Sequence, residues 1–198
     1  MQKPSNYDAI QANPDGFTPL PAGGYVCKIM KVLETTSSTG RAMLKISLDI
    51  AEGYHAGYYA DQYKNSTKQD KKWGAVVYMI TDGEYGPANL KRFITAVENS
   101  NKGFKVVWND KFGAAFKGKL VGALFRREEY VNANNEAKWI TKPFQFRSAD
   151  VIRQGVEAPK AKPLAENTRP ATSNLPNPAT DPDGFMNIPD GIADELPF

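Results

Sequence analysis

The sequence predicts a mainly β protein with one helix and a disordered C-terminal tail. From residue 44 to 50, leucine or isoleucine stands at every second position and polar residues stand between, a pattern typical of a strand with one buried face. Behind Pro87, apolar residues follow the spacing of a single helical stripe, at Leu90, Phe93, Ile94 and Val97. After Gly155, proline becomes frequent and apolar residues become rare.

The remaining elements follow from strand and turn signals. Residues 1–21 are polar and rich in turn residues, which predicts an N-terminal arm. Strands are predicted at 24–33, 44–50, 73–80, 119–131 and 139–147, a helix at 86–100, and a short additional strand at 104–108. The segment from 52 to 72 is predicted as a long loop, and 132–135 as a hairpin turn.

Three strands, a helix and two strands is the order found in the oligonucleotide/oligosaccharide-binding (OB) fold, which places its helix between the third and fourth strands. Other small α+β folds share this order. We therefore expect a five-stranded Greek-key OB barrel over residues 22–155.

The C-terminal part has too few apolar residues to offset the entropy of ordering it. We expect a disordered, proline-rich linker over residues 156–190 and an acidic tip, which binds other proteins, over residues 191–198. A chain of this composition separates the tip from the barrel by tens of Å, on the order of the length of an extended linker.

Charge is divided unevenly along the chain. The formal net charge is +3, but residues 157–198 contain three basic and seven acidic residues and therefore carry −4, which leaves +7 on residues 1–156. A basic body attracts phosphate while an acidic tail does not. Ordinary basic domains also reach this charge, so the distribution favours nucleic-acid binding without specifying it.

Most enzyme classes and cofactors are disfavoured. Cys27 and His55 are the only residues of their kinds, which excludes disulfides and metal sites built from several histidines or thiolates. No phosphate-binding glycine loop occurs. Glu128 and Glu129 are neighbours on a predicted strand and point to opposite faces, so they cannot share a metal ion. We expect a protein that is not an enzyme and needs no cofactor. A metal-dependent nuclease built from a few acids and a lysine remains the third alternative.

No segment has the length of a membrane span or the pattern of a secretory signal, so we expect a cytoplasmic protein without membrane partners.

Single-stranded nucleic acid is bound by aromatic rings that stack on bases, beside cations that follow the backbone. The long loop after the second strand supplies both, and we predict a DNA-binding cluster of Tyr54, Tyr58, Tyr59, Tyr63, Lys64, Lys68, Lys71, Lys72 and Trp73. The alternative is a solvated loop whose tyrosines cover the edge of the barrel.

Two further groups are predicted to contact DNA. The last hairpin offers Arg126, Arg127, Lys138, Trp139 and Lys142, although alternation places the two arginines on opposite faces. Trp139 is a stacking platform on one interpretation and a cap on the core on the other. Arg41 and Lys45 lie where the first hairpin of a barrel flanks the binding groove, and their alternative role is ordinary surface charge.

The chain ends in Asp194, Glu195, Leu196, Pro197 and Phe198. A terminal phenylalanine offers a ring for a pocket and a carboxylate for a basic residue, and the two acids can pair with lysine or arginine at the rim. This ending resembles the acidic tip of bacterial single-stranded-DNA-binding proteins. The resemblance implies that the tip binds replication or recombination proteins. The alternative is an accidental acidic end.

The body has a second resemblance, carried by residues 43–50, by Phe125–Tyr130 and by the run from Lys142 to Arg153. These segments resemble small replication-module proteins of phages of Gram-positive bacteria, a group commonly regarded as binding single-stranded DNA. The aromatic pattern of the bacterial housekeeping protein is not matched, so its stacking residues cannot be transferred.

Together these features predict a single-stranded-DNA-binding protein of a phage or mobile element, working in the host cytoplasm in replication or recombination. The main alternative is a replication or recombination adaptor that does not bind DNA. A homo-oligomer, formed by an edge strand that pairs across a dimer, is left open.

Overall fold

A computed structural model of the protein describes residues 19–67 and 69–165. Nine elements follow one another in these ranges. The strands are β1 (Gly23–Thr36), β2 (Ala42–Ile50), β3 (Val76–Ile80), β4 (Leu120–Val131) and β5 (Ala137–Arg147). The helices are α1 (Tyr58–Asn65), α2 (Gly86–Ser100), α3 (Phe112–Ala115) and α4 (Ala149–Arg153). None of these helices is long and apolar enough to cross a membrane.

The five strands form one antiparallel sheet in the order β3-β2-β1-β4-β5. The long strand β1 lies at the centre of the sheet and pairs with two neighbours. Its residues from Gly23 to Lys28 pair with β4, and its residues from Cys27 to Thr36 pair with β2. A register shift between Ile29 and Lys31 interrupts the second pairing. Irregularities of this kind bend a strand. β3 and β5 are left as the two edges of the sheet.

The main core lies on one side of this sheet and is closed by α2. Alternation in β2 buries Leu44, Ile46 and Leu48, as its sequence predicts. The predicted stripe of α2 places Phe93 against Phe116 and Phe146, with ring centroids 5.1 and 4.8 Å apart. A smaller cluster on the opposite side holds α4 against β1 and β4.

The hairpin between β4 and β5 is confirmed. Asn135 has a φ of 59°, a left-handed conformation that asparagine tolerates better than most residues. The Asn132 side-chain oxygen accepts hydrogen bonds from the Asn134 and Glu136 amides, at 3.0 and 2.8 Å.

Three expectations about secondary structure were wrong. The described residues contain four helices and not one. The predicted loop over 52–72 includes α1, which the carboxylate of Asp49 ties to β2: its Oδ1 accepts from the Tyr59 amide at 3.0 Å. The segment 104–108 is irregular and not a strand. Phe104 and Val106 pack on the core, but the segment pairs with no strand of the sheet.

Residues on both sides of the predicted 22–155 domain contact it. The Leu20 side chain is buried, its amide donates to the Tyr58 hydroxyl at 3.0 Å, and its carbonyl accepts from Thr141 at 2.7 Å. At the other end, within the predicted linker, the Lys162 amide donates to the Arg127 carbonyl at 2.8 Å. The chain around Lys162 thus covers part of the β4 edge that β1 leaves free.

Candidate nucleic-acid interface

The residues predicted to bind DNA do not form one surface. The structure distributes them over three places: the region of α1, the two faces of the β4–β5 hairpin, and a cleft between the edge strands β3 and β5. Lys68 and the acidic tip, Asp194 to Phe198, lie outside the described residues.

Part of the aromatic cluster around α1 belongs to the core. Tyr59 is 4% exposed and stacks on Phe125, so its ring is not accessible to a nucleobase, and its place among the DNA-binding residues was wrong. Burial raises the pKa of Tyr59 above its ordinary value. Tyr58 is half-buried, and burial raises its pKa to about 12 although the Leu20 amide donates to its hydroxyl. The indole N–H of Trp73 donates to the Leu48 carbonyl and fastens the end of this connection to β2.

The outer side of α1 retains a small exposed set. The Tyr63 ring is 40% exposed, lies 5.6 Å from that of Trp73, and has the Lys71 ammonium 5.8 Å from its centroid. Lys64 and Lys72 are exposed beside it. Tyr54 is 78% exposed and contacts the edge of the His55 ring. These residues present cations and one or two exposed rings.

The two arginines of the β4–β5 hairpin lie on opposite faces of the sheet, as the alternation of strand residues predicts. On one face, the Arg126 guanidinium lies 4.4 Å from the centroid of Phe144 and pairs with Glu128 at 2.7 Å. On the other face, Arg127 lies 5.0 Å from the centroid of Trp139.

The two lysines of the hairpin differ in their surroundings. Lys138 pairs with Glu136 at 3.1 Å, and Lys142 is half-buried opposite Arg126 in the strand register. Neither therefore offers a fully exposed, unpaired charge to a phosphate.

A concave feature of the described residues lies between the two edges of the sheet, and we call it the seam cleft. It has a volume of about 490 Å³ and runs between β3 and β5, with the start of α2 at one end. Its walls carry three exposed aromatic rings: Tyr78 is 52% exposed, Tyr85 is 70% exposed and Phe144 is 36% exposed. Several flat rings beside one open groove are what base stacking requires.

Cations accompany these rings. The Lys45 ammonium lies 5.5 Å from the centroid of Tyr78, its partner across the β2–β3 ladder. Arg126 lies over Phe144, as described above, and Arg92 of α2 lines the cleft directly. Within residues 19–67 and 69–165, Lys45 and Arg92 have no carboxylate partner. Their charges are therefore available to a phosphate.

Arg41 also lines the seam cleft, but its role is partly structural. Its Nε pairs with Asp82 at 3.0 Å and its Nη2 donates to the Asp82 carbonyl at 2.9 Å. It thereby holds the connection after β3, where Glu84 adds one acid to the wall.

Sequence reasoning found Arg41, Lys45 and Arg126 but missed the rings they accompany. Tyr78 alternates with the buried Met79 and could have been identified as an outward residue of β3. Tyr85 and Phe144 gave no such signal, because only the approach of β3, α2 and β5 brings them to one cleft.

The acidic residues and the cysteine that could carry chemistry have structural contacts instead. No group of three acids, histidines or cysteines in the described ranges could hold a metal ion. Glu128 and Glu129 are on opposite faces, as predicted: Glu128 pairs with Arg126, and Glu129 accepts from the Leu164 amide at 3.0 Å. Cys27 is fully buried, and burial together with the neighbouring Asp49 carboxylate raises the pKa of its thiol.

One family model matches the chain. It is described as "Protein of unknown function (DUF669)" and matches residues 5–82. The chain is similar to that family from before β1 to the turn after β3, a stretch that contains Lys45 and Tyr78 but not α2 or the β4–β5 hairpin. A search of curated proteins found no match.

Proposed function

We propose that this protein binds single-stranded DNA along the seam cleft. The observation that carries the proposal is the combination of three exposed rings, Tyr78, Tyr85 and Phe144, with Arg92 in one open groove and the Lys45 ammonium beside the Tyr78 ring. Stacking on such rings contributes roughly 1–3 kcal/mol per base and depends little on sequence. The rings contact bases and the cations contact the backbone.

The proposed fold is an OB barrel that is open between β3 and β5. In the closed form of this fold the chain's third and fifth strands pair, and the other pairs are those observed here. α2 also lies between β3 and β4 in the chain, where this fold has its helix. The fold is known in partly open forms, and it binds oligonucleotides on the face of strands two and three. Lys45 and Tyr78 occupy that face.

The proposed biological setting is a phage or mobile element whose DNA is replicated or recombined in the host cytoplasm. Its support is the resemblance of residues 43–50 and Phe125–Tyr130 to phage replication-module proteins, and of the C-terminal residues to a bacterial interaction tip. In this proposal the protein is not an enzyme: it coats DNA and recruits partners.

The test is fluorescence anisotropy of a labelled oligo(dT) and of a duplex of equal length, titrated with the whole protein at several salt concentrations. We expect tighter binding to the single strand and a steep loss with salt, because cations that contact phosphates release counterions. Equal binding to both, or to neither, would contradict the proposal.

Two variants locate the site. Tyr78→Ala should weaken binding by about tenfold, within the range for one stacked base, whereas Tyr78→Phe, which keeps the ring, should bind like the parent. Arg92→Ala should reduce the slope of log K against log salt by about 0.7, the value for one phosphate contact on a single strand. Lys160→Ala removes the same charge outside the cleft and should leave that slope unchanged.

A second candidate is the adaptor, which one observation favours. Among the described strands, β3 and β5 each have an edge without a strand partner beside the seam cleft, and an extended peptide can bind to such an edge by adding a strand. The adaptor predicts no anisotropy change with any oligonucleotide, and the same titration therefore separates the two.

A further inference from the structure

A second cleft adjoins the seam cleft. Its volume is about 190 Å³, and its walls are Glu34, Leu44, Thr81, Leu90, Trp108, Asn109 and Phe112. Trp108 is the feature that distinguishes it: the indole is 69% exposed although the side chain is large and apolar. We call this feature the Trp108 cleft.

The exposed indole is held in a fixed orientation. It stacks on Phe112, with ring centroids 5.0 Å apart and an angle of 17° between the planes. Phe112 is buried and packs in turn on Phe116 of the core. One face of Trp108 is therefore supported from below and the other is left open, which is the arrangement that a stacking platform needs.

A cation lies close to this platform in the chain. Lys111 is exposed, and its amide is fixed by the Asn109 side chain at 2.9 Å. No carboxylate among the described residues pairs with the Lys111 ammonium. Trp108 thus has a cation three residues away in the chain, while the wall of the cleft itself holds one acid, Glu34.

The two clefts are lined by neighbouring residues of the β3–α2 connection and of α2. Ile80 lines the seam cleft and Thr81 lines the Trp108 cleft, and on α2 the same holds for Asn89 and Leu90. The two clefts therefore lie beside the same short segment of the chain.

From this geometry we infer that Trp108 stacks on a nucleobase of the single strand bound in the seam cleft, and that Lys111 contacts the adjoining phosphate. This extends the bound track around the end of β3 beyond the seam. The inference rests on the proposed function, and it assigns a second base-binding position to a part of the chain outside the matched family region.

The test compares a short and a long oligo(dT), of about 6 and about 16 nucleotides, the range of site sizes for one OB fold. Trp108→Ala should weaken binding of the long oligonucleotide by about tenfold. It should leave binding of the short oligonucleotide unchanged, because the short strand lies entirely within the seam cleft. Trp108→Phe should restore most of the affinity. Val107→Ala, which removes a 60% exposed apolar side chain from the same loop, is the matched control and should bind like the parent.

The outcomes separate the two proposals. If the parent binds both oligonucleotides and Trp108→Ala binds the long one normally, the second position is wrong and the seam proposal stands. In that case the Trp108 cleft serves another ligand, such as an apolar side chain of a partner protein. If the parent binds neither oligonucleotide, the proposed function itself fails. Unchanged thermal unfolding of Trp108→Ala shows that a loss of affinity comes from the binding site and not from misfolding.

Discussion

At the scale of single residues, the aromatic side chains show where sequence reasoning stops. Tyr59 and Tyr63 lie on the same short helix and are chemically identical, yet one stacks on Phe125 in the core and the other faces solvent. Their difference depends on which strand passes beneath α1, and local sequence does not contain that information. Residue type alone therefore does not show which rings are free.

Asp49 gives the first prediction at this scale. It is a buried charged residue, 5% exposed, and its Oδ1 accepts from the amides of Ile50 and Tyr59 at 2.9 and 3.0 Å. Asp49→Ala leaves these buried donors without a partner, which costs about 1–3 kcal/mol per group. We expect the free energy of unfolding in urea to fall by at least the penalty for one such donor, about 1–3 kcal/mol.

The control for Asp49 is an acid of α1 that is exposed. Asp61 lies in the first turn of the helix, where a negative charge contributes only about 0.3–1 kcal/mol. Asp61→Ala should therefore cost less than Asp49→Ala. Equal losses would show that Asp49 acts through its charge and not through its buried hydrogen bonds.

At the scale of elements, those with clear local sequence patterns were predicted and those without them were not. α2 has Pro87 at its start and four apolar residues on one stripe, and it was predicted with its bounds. α1 has neither; the carboxylate that accepts from its Tyr59 amide comes from β2. The strand predicted at 104–108 had the apolar residues of a strand but no neighbour with which to pair.

α4 carries a prediction about how elements approach each other. A Cβ added at Gly122 of β4 would lie 2.7 and 2.9 Å from the carbonyl oxygens of Ser148 and Arg147, and backbone atoms there cannot move without displacing α4. Gly122→Ala should destabilise the protein by about 1–3 kcal/mol, the cost of overpacking. The measurement is chemical unfolding at equilibrium.

Gly23 of β1 is the matched position. An added Cβ there would meet only the Tyr25 side chain, at 3.9 Å, an ordinary contact distance. Gly23→Ala should therefore change stability by less than about 0.5 kcal/mol. A similar loss at both positions would mean that strand glycines are needed for backbone reasons and that α4 does not set the constraint.

At the scale of the whole molecule, the chain separates a basic body from an acidic end. Residues 1–156 carry +7 and residues 157–198 carry −4, so one part attracts phosphate and the other does not. This division was predictable from sequence, because it needs only a count of charges. The seam cleft was not predictable, because its walls come from β3, α2 and β5.

The separation of charge leads to a prediction about the C-terminal residues. If the seam cleft binds DNA and the tip binds proteins, deletion of Leu196–Phe198 should leave the affinity for oligo(dT) within about twofold, because neither stacking nor phosphate contacts are touched. The same deletion should abolish the pull-down of host replication proteins, since it removes the terminal ring and shifts the carboxylate. The matched control deletes Asn174–Pro176, which shortens the chain equally and also removes a leucine and a proline but preserves its end. A loss of pull-down in both deletions would mean that tail length matters and the terminal residues do not, and a loss of DNA affinity in the first would place the tip in the DNA site itself.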